Sequence, residues 1–321
     1  MKYLFTADWH IKLGQKHVPR EWQSARFRKL FEKLWALEQD VDAHIIGGDI
    51  FDRTPTLEEL DLFVEYLRGS DAKLWIFPGN HEAEKKHTTF FSELQRLTES
   101  LANATVILEP TELEPKTWAL PYNWLKRKDW SIPEDAEILY THVRGEIPPH
   151  VKPEIPLEKF ERFKIVYAGD LHCHTNTQKI GNTPIVYPGS PVNTTFSRSG
   201  ASKNGALIIA GTEWEWVDLK LPKLLKKTVT SPEEMLETEY DLTVYDLEGS
   251  LEDVGKAKKH KLLANKVVHR ESSTTLSLGK DSNIQEELRQ YFTKVLLLEE
   301  PSVDSILQVF AEYEANERGM E

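Results

Sequence analysis

Short apolar runs that stop abruptly at polar or charged residues recur along this chain. Residues 2–7, 43–47, 73–77, 138–140 and 164–168 each have the length and composition of a buried strand. Between the first of these lie stretches of helical periodicity. In residues 20–39, Phe27, Leu30, Phe31, Leu34, Trp35 and Leu37 alternate with charges, which predicts an amphipathic helix covering one face of a sheet. Thr56 with Glu59 has the spacing of a capping box and opens a second helix through Leu60, Phe63, Val64 and Leu67. A third helix is predicted over 88–101. Strand, helix, strand, helix, strand, helix is the order of a layered α/β domain with right-handed crossovers. From residue 105 the predicted strands come closer together, at 105–108, 117–121, 137–141, 164–168, 185–187, 206–210 and 214–221. These predict a second sheet packed on the first, and the fold class is α/β, a helix-flanked two-sheet β-sandwich.

Near Leu221 and Pro222 the pattern changes. Residues 223–227 read as a basic, strand-poor join, followed by short strands at 228–230, 242–247 and 266–270 that alternate with helices at 232–239 and 251–263. This reads as a small separate α/β module. Beyond about residue 282 the pattern is helical, with Leu288, Tyr291, Phe292, Val295 and Leu296 on one face. After a break at Pro301, a last helix carries Val303, Ile306, Leu307, Val309, Phe310 and Tyr313. A terminal amphipathic helix either docks on its own domain or grips a partner, and the pattern suits both. The expected division is 1–221, 222–281 and 282–321.

With 40% hydrophobic and 29% charged residues over 321 positions, the chain can bury one large core and a smaller module. No apolar run approaches the roughly 20 residues that cross a bilayer. Met1, Lys2 and Tyr3 lead straight into a strand without a secretory pattern, so a cytoplasmic protein with no membrane association is expected. The single cysteine, Cys173, excludes an internal disulfide framework and a cysteine cage for zinc. A net charge of -12 argues against nucleic-acid binding by bulk electrostatics. It leaves room for a nuclease whose cations neutralise the site and whose partner supplies a basic channel. Local basic patches exist at Lys12, Lys16, His17 and Arg20, at Lys85, Lys86 and His87, and at Lys126, Arg127 and Lys128. The first two fit an anionic substrate, and each alone reads equally as a solvated loop.

The strand ends carry the chemistry. In Ala43 to Asp52, AHIIGGDIFD, a buried strand stops at two glycines and two carboxylates. This delivers Asp49 to the sheet edge, where open α/β folds bind ligands, and Gly47 and Gly48 let the backbone crowd close to whatever Asp49 holds. A lone aspartate there would be ordinary turn chemistry. Repetition changes the reading. Residues 2–7 end at Asp8-Trp9-His10, 73–77 at Pro78-Gly79-Asn80-His81-Glu82, 138–140 at Thr141-His142, and 164–168 at Gly169-Asp170-Leu171-His172-Cys173-His174. Asp, His and Asn together suit two adjacent divalent cations. Strand parity points Cys173 away from Asp170 and His172.

The ordered series DWH, GGDIFD, GNHE, a lone His after a strand, GDLH and YPGSP resembles the calcineurin-like metallophosphoesterase family, spanning Asp8 to Val192. Within it the chain is similar to the nuclease subunit SbcD and its double-strand-break repair counterparts, phage recombination nucleases among them. GDIFD, His17-Val18-Pro19-Arg20, YPGSP and the C-terminal layout carry that narrower likeness. The resemblance implies that Asp8, His10, Asp49 and His172 hold one metal and that Asp49, Asn80, His142 and Asp170 hold the second, with Asp49 bridging. Two ions ~3.5 to 4 Å apart activate a water and stabilise the leaving oxygen; manganese is preferred, with magnesium the alternative. It further implies that His81 contacts the scissile phosphate as acid or electrostatic stabiliser, that Asp52 or Glu82 orients it, and that His17 and Arg20 touch substrate.

One departure stands out. The family has GHxH where this chain has Gly169-Asp170-Leu171-His172. Asp170 and His172 keep the spacing and side of the strand, so Asp170 is read as the ligand and His174 as a loop histidine. The implied function is a manganese-dependent nuclease subunit acting on DNA ends and single-stranded DNA. Its implied partner is a coiled-coil, SbcC-like ATPase, in a homodimer within a heterotetramer, with residues 222–281 as a DNA-capping domain and 282–321 as the ATPase-binding tail. Two other readings stay open: a phosphatase or cyclic-nucleotide phosphodiesterase on the same scaffold, and a DNA-end-binding scaffold whose chemistry Asp170 has cost.

Overall fold

The computed structural model describes residues 1–82, 94–96, 98–198, 203–249, 254–255, 261–268, 276 and 283–318. Strand β1 (Lys2–Thr6) is followed by α1 (Arg20–Glu38), β2 (Ala43–Gly47), α2 (Leu57–Gly69), β3 (Lys73–Phe77) and β4 (Ala104–Val106). Then come β5 (Thr111–Glu114), β6 (Thr117–Leu120), β7 (Ile138–His142), β8 (Ile165–Gly169), β9 (Gln178–Ile180), β10 (Thr183–Val186), β11 (Gly205–Ala210) and β12 (Glu213–Asp218). Two six-stranded sheets result, in the orders β12-β11-β1-β2-β3-β4 and β5-β6-β7-β8-β10-β9.

The period-two alternation of strand side chains sorts residues into layers. On β1, Leu4 faces a core shared with Phe27, Leu30, Phe31 and Leu34 of α1 and Leu62, Phe63 and Tyr66 of α2. Its neighbours Tyr3 and Phe5 face the other way, into the layer between the sheets, beside Trp75, Phe77, Tyr140, Tyr167 and Val186. The far side of the second sheet is covered by Trp130, Phe160 and Phe163, packed with Leu139 and Val166. Strands β1, β2 and β3 run parallel and are buried almost end to end, as covered parallel strands require. The α2 capping box is present, with Glu59 N–H on Thr56 Oγ1 (3.3 Å) and Thr56 N–H on Glu59 Oε2 (2.8 Å).

Several expectations are corrected. Strands β4, β11 and β12 belong to the first sheet, because β11 returns antiparallel to β1, pairing Ile209 with Tyr3, and β4 continues the parallel order beside β3. Strands β5 and β9 were not expected; both are polar edge strands with no apolar run to signal them. The stretch read as a join is β13 (Leu224–Val229), which pairs parallel with β14 (Leu242–Gly249) in a three-stranded sheet completed by β15 (Leu263–Val268). Of the helix expected at 232–239 only a single 3-10 turn forms, Pro232–Glu234. Residue 263 begins a strand rather than ending a helix. Most of the helices expected at 88–101 and 251–263, and the end of the strand at 266–270, lie outside the described residues.

The chain divides into two compact units, Met1–Val267 and Val268–Glu321. The second contains α3 (Ile284–Lys294) and α4 (Glu300–Arg318). Asn283 caps α3 through Glu286 N–H (2.9 Å), and Arg289 ties the two helices together through Glu300 (2.9 Å) and Asp304 (2.6 Å). Tyr291, Val295, Leu296, Leu297, Ile306 and Val309 are exposed.

Candidate metal centre

The C-terminal ends of β1, β2 and β3 in one sheet and of β7 and β8 in the other meet at one edge of the sandwich, so motifs far apart in sequence converge. His142 makes the junction. Closing β7, it reaches across to the first sheet, with Nδ1 2.8 Å from the Gly47 carbonyl and Nε2 2.9 Å from Asn80 Oδ1. The post-strand turns are laced by Asp8 N–H on Gly48 O (3.0 Å) and His10 N–H on Asp49 O (2.9 Å). Asp8, His10, Asp49 and Asp170 all take positive φ, at 59°, 47°, 51° and 98°. Such backbone is costly for residues other than glycine and clusters at functional sites. Gly79 lies so close that an added Cβ would stand 2.2 Å from Asp49 Oδ1 and 2.6 Å from Asp49 N.

Asp49 Oδ2 sits at the middle of the cluster, 3.6 Å from His10 Nε2, 3.5 Å from His142 Nε2 and 3.9 Å from His81 Nε2. To one side, His10 Nε2 lies 3.0 Å from His172 Nε2 and 3.9 Å from Asp8 Oδ1, and His172 Nε2 lies 3.7 Å from Asp8 Oδ1. To the other, His142 Nε2 lies 4.0 Å from Asp170 Oδ1. Among the described residues, three sets have ligand atoms within 4.8 Å of one another: Asp8, His10 and His172; His10, Asp49 and His81; Asp8, Asp49 and His142.

Electrostatics explain what this arrangement needs. Asp8, His10, Asp49 and His142 are all buried, and burying charge is expensive unless it is paired or coordinates a metal. Burial pushes the Asp8 carboxyl well above the usual carboxylate range. Burial acts the same way on Asp49, but the His142 imidazole beside it, aided by His10, outweighs it and holds Asp49 well below that range. Burial also lowers His10 to about 3, which keeps its ring neutral with one ring nitrogen free to act as a donor to a cation. His142 is raised: burial works against its charge, and Asp49, Asp8 and Asp170 prevail. His10 Nδ1 is buried without a hydrogen-bond partner. That nitrogen is turned toward Asp52 Oδ1 (3.8 Å), while Nε2 faces the cluster, and the oxygen and imidazole donors gathered around Nε2 and Asp49 fit divalent cations.

A model of the calcineurin-like phosphoesterase family matches residues 1–174, more than half of the chain. The chain belongs to this family. Along nearly its whole length, 98% of both chains, it is 38% identical to a protein of Escherichia phage T5 named probable exonuclease subunit 1. Among solved structures, the protein TT1561 of Thermus thermophilus has 11% identity and a TM-score of 0.45, covering 68% of this chain and 99% of its own. The purple acid phosphatase PPD1 of yellow lupin has 13% identity and a TM-score of 0.43, covering 82% of this chain and 57% of its own.

Calcineurin-like phosphoesterases bind divalent metals, and in this member Asp8, His10, Asp49, Asn80, His142, Asp170 and His172 are brought to one place. His81 stands at the rim, its side chain 37% exposed. Its backbone N–H donates to Asp49 Oδ1 (2.9 Å), and its Nδ1 lies 2.7 Å from the main-chain carbonyl of Asp52. A carbonyl can only accept, so Nδ1 carries the hydrogen and Nε2 is left facing the cluster. The group that orients His81 is thus the Asp52 carbonyl and neither expected carboxylate. The Asp52 carboxylate instead takes Lys12 Nζ (2.6 Å). Glu82 is buried, accepting the N–H groups of Asp49 (2.9 Å) and Gly79 (2.9 Å) on Oε2 and of Phe51 (3.0 Å) on Oε1, and burial pushes it up to about 7.

His17 and Arg20 are not brought to the cluster. Arg20 pairs with Glu58 on the surface (3.0 Å), and His17 lines a groove with Pro19, Trp22 and Leu242. His174 stacks on Trp216 with ring centroids 4.0 Å apart. Lys85, Lys86 and His87 lie outside the described residues. Two participants had no role assigned from the sequence: Ser190, whose Oγ donates to the Asp8 carbonyl (2.6 Å) and whose N–H donates to His172 O (3.0 Å), and Arg144, which pairs with Asp170. For Ser190 the YPGSP stretch was a signal of importance without a role; for Arg144 only its place two residues after His142 hinted at one.

Proposed function

We propose that this calcineurin-like phosphoesterase is the nuclease subunit of a two-component machine, hydrolysing DNA phosphodiesters at a two-metal centre. Asp8, His10, Asp49 and His172 would hold one ion, and Asp49, Asn80, His142 and Asp170 would hold the other. The observation that carries this is Asp49 Oδ2, placed between His10 Nε2 (3.6 Å) and His142 Nε2 (3.5 Å) as a shared ligand would be. When bound, the ions supply an activated water and charge stabilisation at the leaving oxygen. The mixed oxygen and imidazole set suits manganese, with magnesium the alternative.

The chain's own residues do the rest. The Asp52 carbonyl, accepting from Nδ1–H, fixes the direction of His81, so that Nε2 of the doubly protonated ring meets the scissile phosphate and gives its proton to the departing oxygen as the P–O bond breaks, leaving the neutral Nδ1–H tautomer. Lys12, held by Asp52, adds positive charge at the same mouth. His17 and Arg20 serve substrate further from the chemistry.

DNA as substrate is favoured by the 38% identical phage relative, which is named an exonuclease subunit. "Subunit" also favours a partner. With a net charge of -12, this chain leaves a basic DNA channel to that partner, read as a coiled-coil ATPase. The α3 and α4 pair, with its exposed Tyr291, Val295 and Leu296, is its attachment, residues 222–281 cap DNA, and two such chains form a dimer in recombination and double-strand-break repair in the cytoplasm. No helix among the described residues is long and apolar enough to cross a membrane.

The test is nucleotide release from end-labelled duplex and single-stranded DNA with manganese, magnesium or chelator, comparing wild type with Asp49→Ala, with and without the partner. Manganese-dependent cleavage abolished by the substitution is expected. Hydrolysis of a small chromogenic diester with none of DNA, partner present, would replace this reading with a general phosphodiesterase.

A further inference from the structure

Arg144, two residues beyond His142, holds the Asp170 carboxylate side-on. Its Nε lies 3.1 Å from Oδ2 and its Nη2 3.2 Å from Oδ1, so both oxygens receive a parallel pair of N–H bonds. This fork is the strongest and most directional way to fix a carboxylate. Asp170 needs fixing: its φ of 98° is strained, its side chain is only 5% exposed, and its N–H is tied to the Asp8 carboxylate at 3.1 Å to each oxygen. Each carboxylate oxygen has two lone-pair directions. Arg144 takes one on Oδ1, and that oxygen also stands 4.0 Å from His142 Nε2, on the side of the cluster. The guanidinium therefore leaves Asp170 able to accept a cation while offsetting one of the negative charges that Asp8, Asp49 and Asp170 gather in a small volume.

We propose that Arg144 is a positioning residue of the metal centre, which holds Asp170 in the orientation that ligates and cancels the charge this aspartate adds. The inference rests on Asp170 being a ligand. Groups that hydrogen-bond metal-ligating carboxylates typically change metal affinity by about 10- to 100-fold when removed. Lysine at this position would restore the charge but only one contact, since it is a point donor without the planar fork.

The experiment is calorimetric titration of manganese into the metal-free full-length chain for wild type, Arg144→Ala, Arg144→Lys, Asp170→Asn and the Arg144→Ala/Asp170→Asn double variant. Arg28→Ala, which breaks a surface pair with Glu65, is the control. Arg144→Ala is expected to weaken one of two binding events by about 10- to 100-fold. Arg144→Lys should recover part of it, and the double variant should bind no worse than Asp170→Asn alone, because two residues acting through one contact are not additive. If Asp170→Asn loses a site while Arg144→Ala binds manganese as wild type does, Arg144 does not act through Asp170 and the inference fails alone. If Asp170→Asn keeps both sites, the ligand reading and the inference fail together. Unchanged manganese affinity in Arg144→Ala with a raised KM for DNA would make Arg144 a substrate contact and would also overturn it.

Discussion

Glu82 Oε2 accepts the backbone N–H of Asp49 at 2.9 Å, and the same carboxylate takes the N–H groups of Gly79 and Phe51. One buried side chain therefore clamps the GGDIFD turn to the GNHE turn. Glu82→Ala leaves three buried donors unpaired, and orphaned donors cost about 1–3 kcal/mol each before relaxation. We expect a loss of about 2–5 kcal/mol in chelator-treated protein by urea unfolding, together with lost manganese binding. Native stability in Glu82→Ala would show that the clamp is dispensable.

His81 and His142 both approach Asp49 Oδ2, at 3.9 and 3.5 Å, but only His142 is fully buried and bonded to Asn80. His81→Ala is expected to keep both metals and lower turnover by about 10²–10⁴-fold, the usual range for a general acid. His142→Ala and Asn80→Ala should each lose one metal. Calorimetry showing complete loss of metal in His81→Ala would contradict this division.

Gly79 has no room for a methyl group, since a Cβ would meet Asp49 Oδ1 at 2.2 Å. Gly79→Ala must displace Asp49, so manganese binding should fall with it. Gly14→Ala is the comparison, because its Cβ would meet only Arg53 Nη2 at 3.9 Å; its stability should stay within about 0.5 kcal/mol of wild type. Equal metal affinity in the two variants would count against Asp49 as the centre of the site.

Behind the metal turns, the buried Glu38 carboxylate bonds to His44 Nδ1 (2.8 Å), Ser70 Oγ (2.7 Å) and the Tyr66 hydroxyl. Burial raises Glu38, but His44, Tyr66 and Ser70 prevail and hold it below its ordinary 4.5. A depressed carboxyl contributes stability that is present above the unfolded value and lost as pH falls through the folded one. Glu38→Gln should therefore be destabilised most near neutral pH, with the gap to wild type closing below about pH 4.5. Chemical denaturation at a series of pH values checks this. A gap that does not change with pH would mean that Glu38 contributes through packing alone.

Local physics was legible in the chain itself. The strand-ending carboxylates and imidazoles, the α2 capping box and the extents of β1, β2, β3 and α1 follow from periodicity and from residues within a few positions of one another, so the metal-ligand candidates could be named before any fold was known. Contacts between residues distant in sequence could not. The return of β11 against β1 is set by pairing Tyr3 with Ile209, which local alternation does not encode, and the polar edge strands β5 and β9 carry no apolar signal. Side-chain fates near the centre depend on which partner the fold places beside them. Arg20 is taken by Glu58, the Asp52 carboxylate by Lys12, and His81 by a main-chain carbonyl. The sequence determined which chemical groups stand at the strand ends; only the tertiary packing of two sheets decided that they share one site and that Arg144 guards its unusual aspartate.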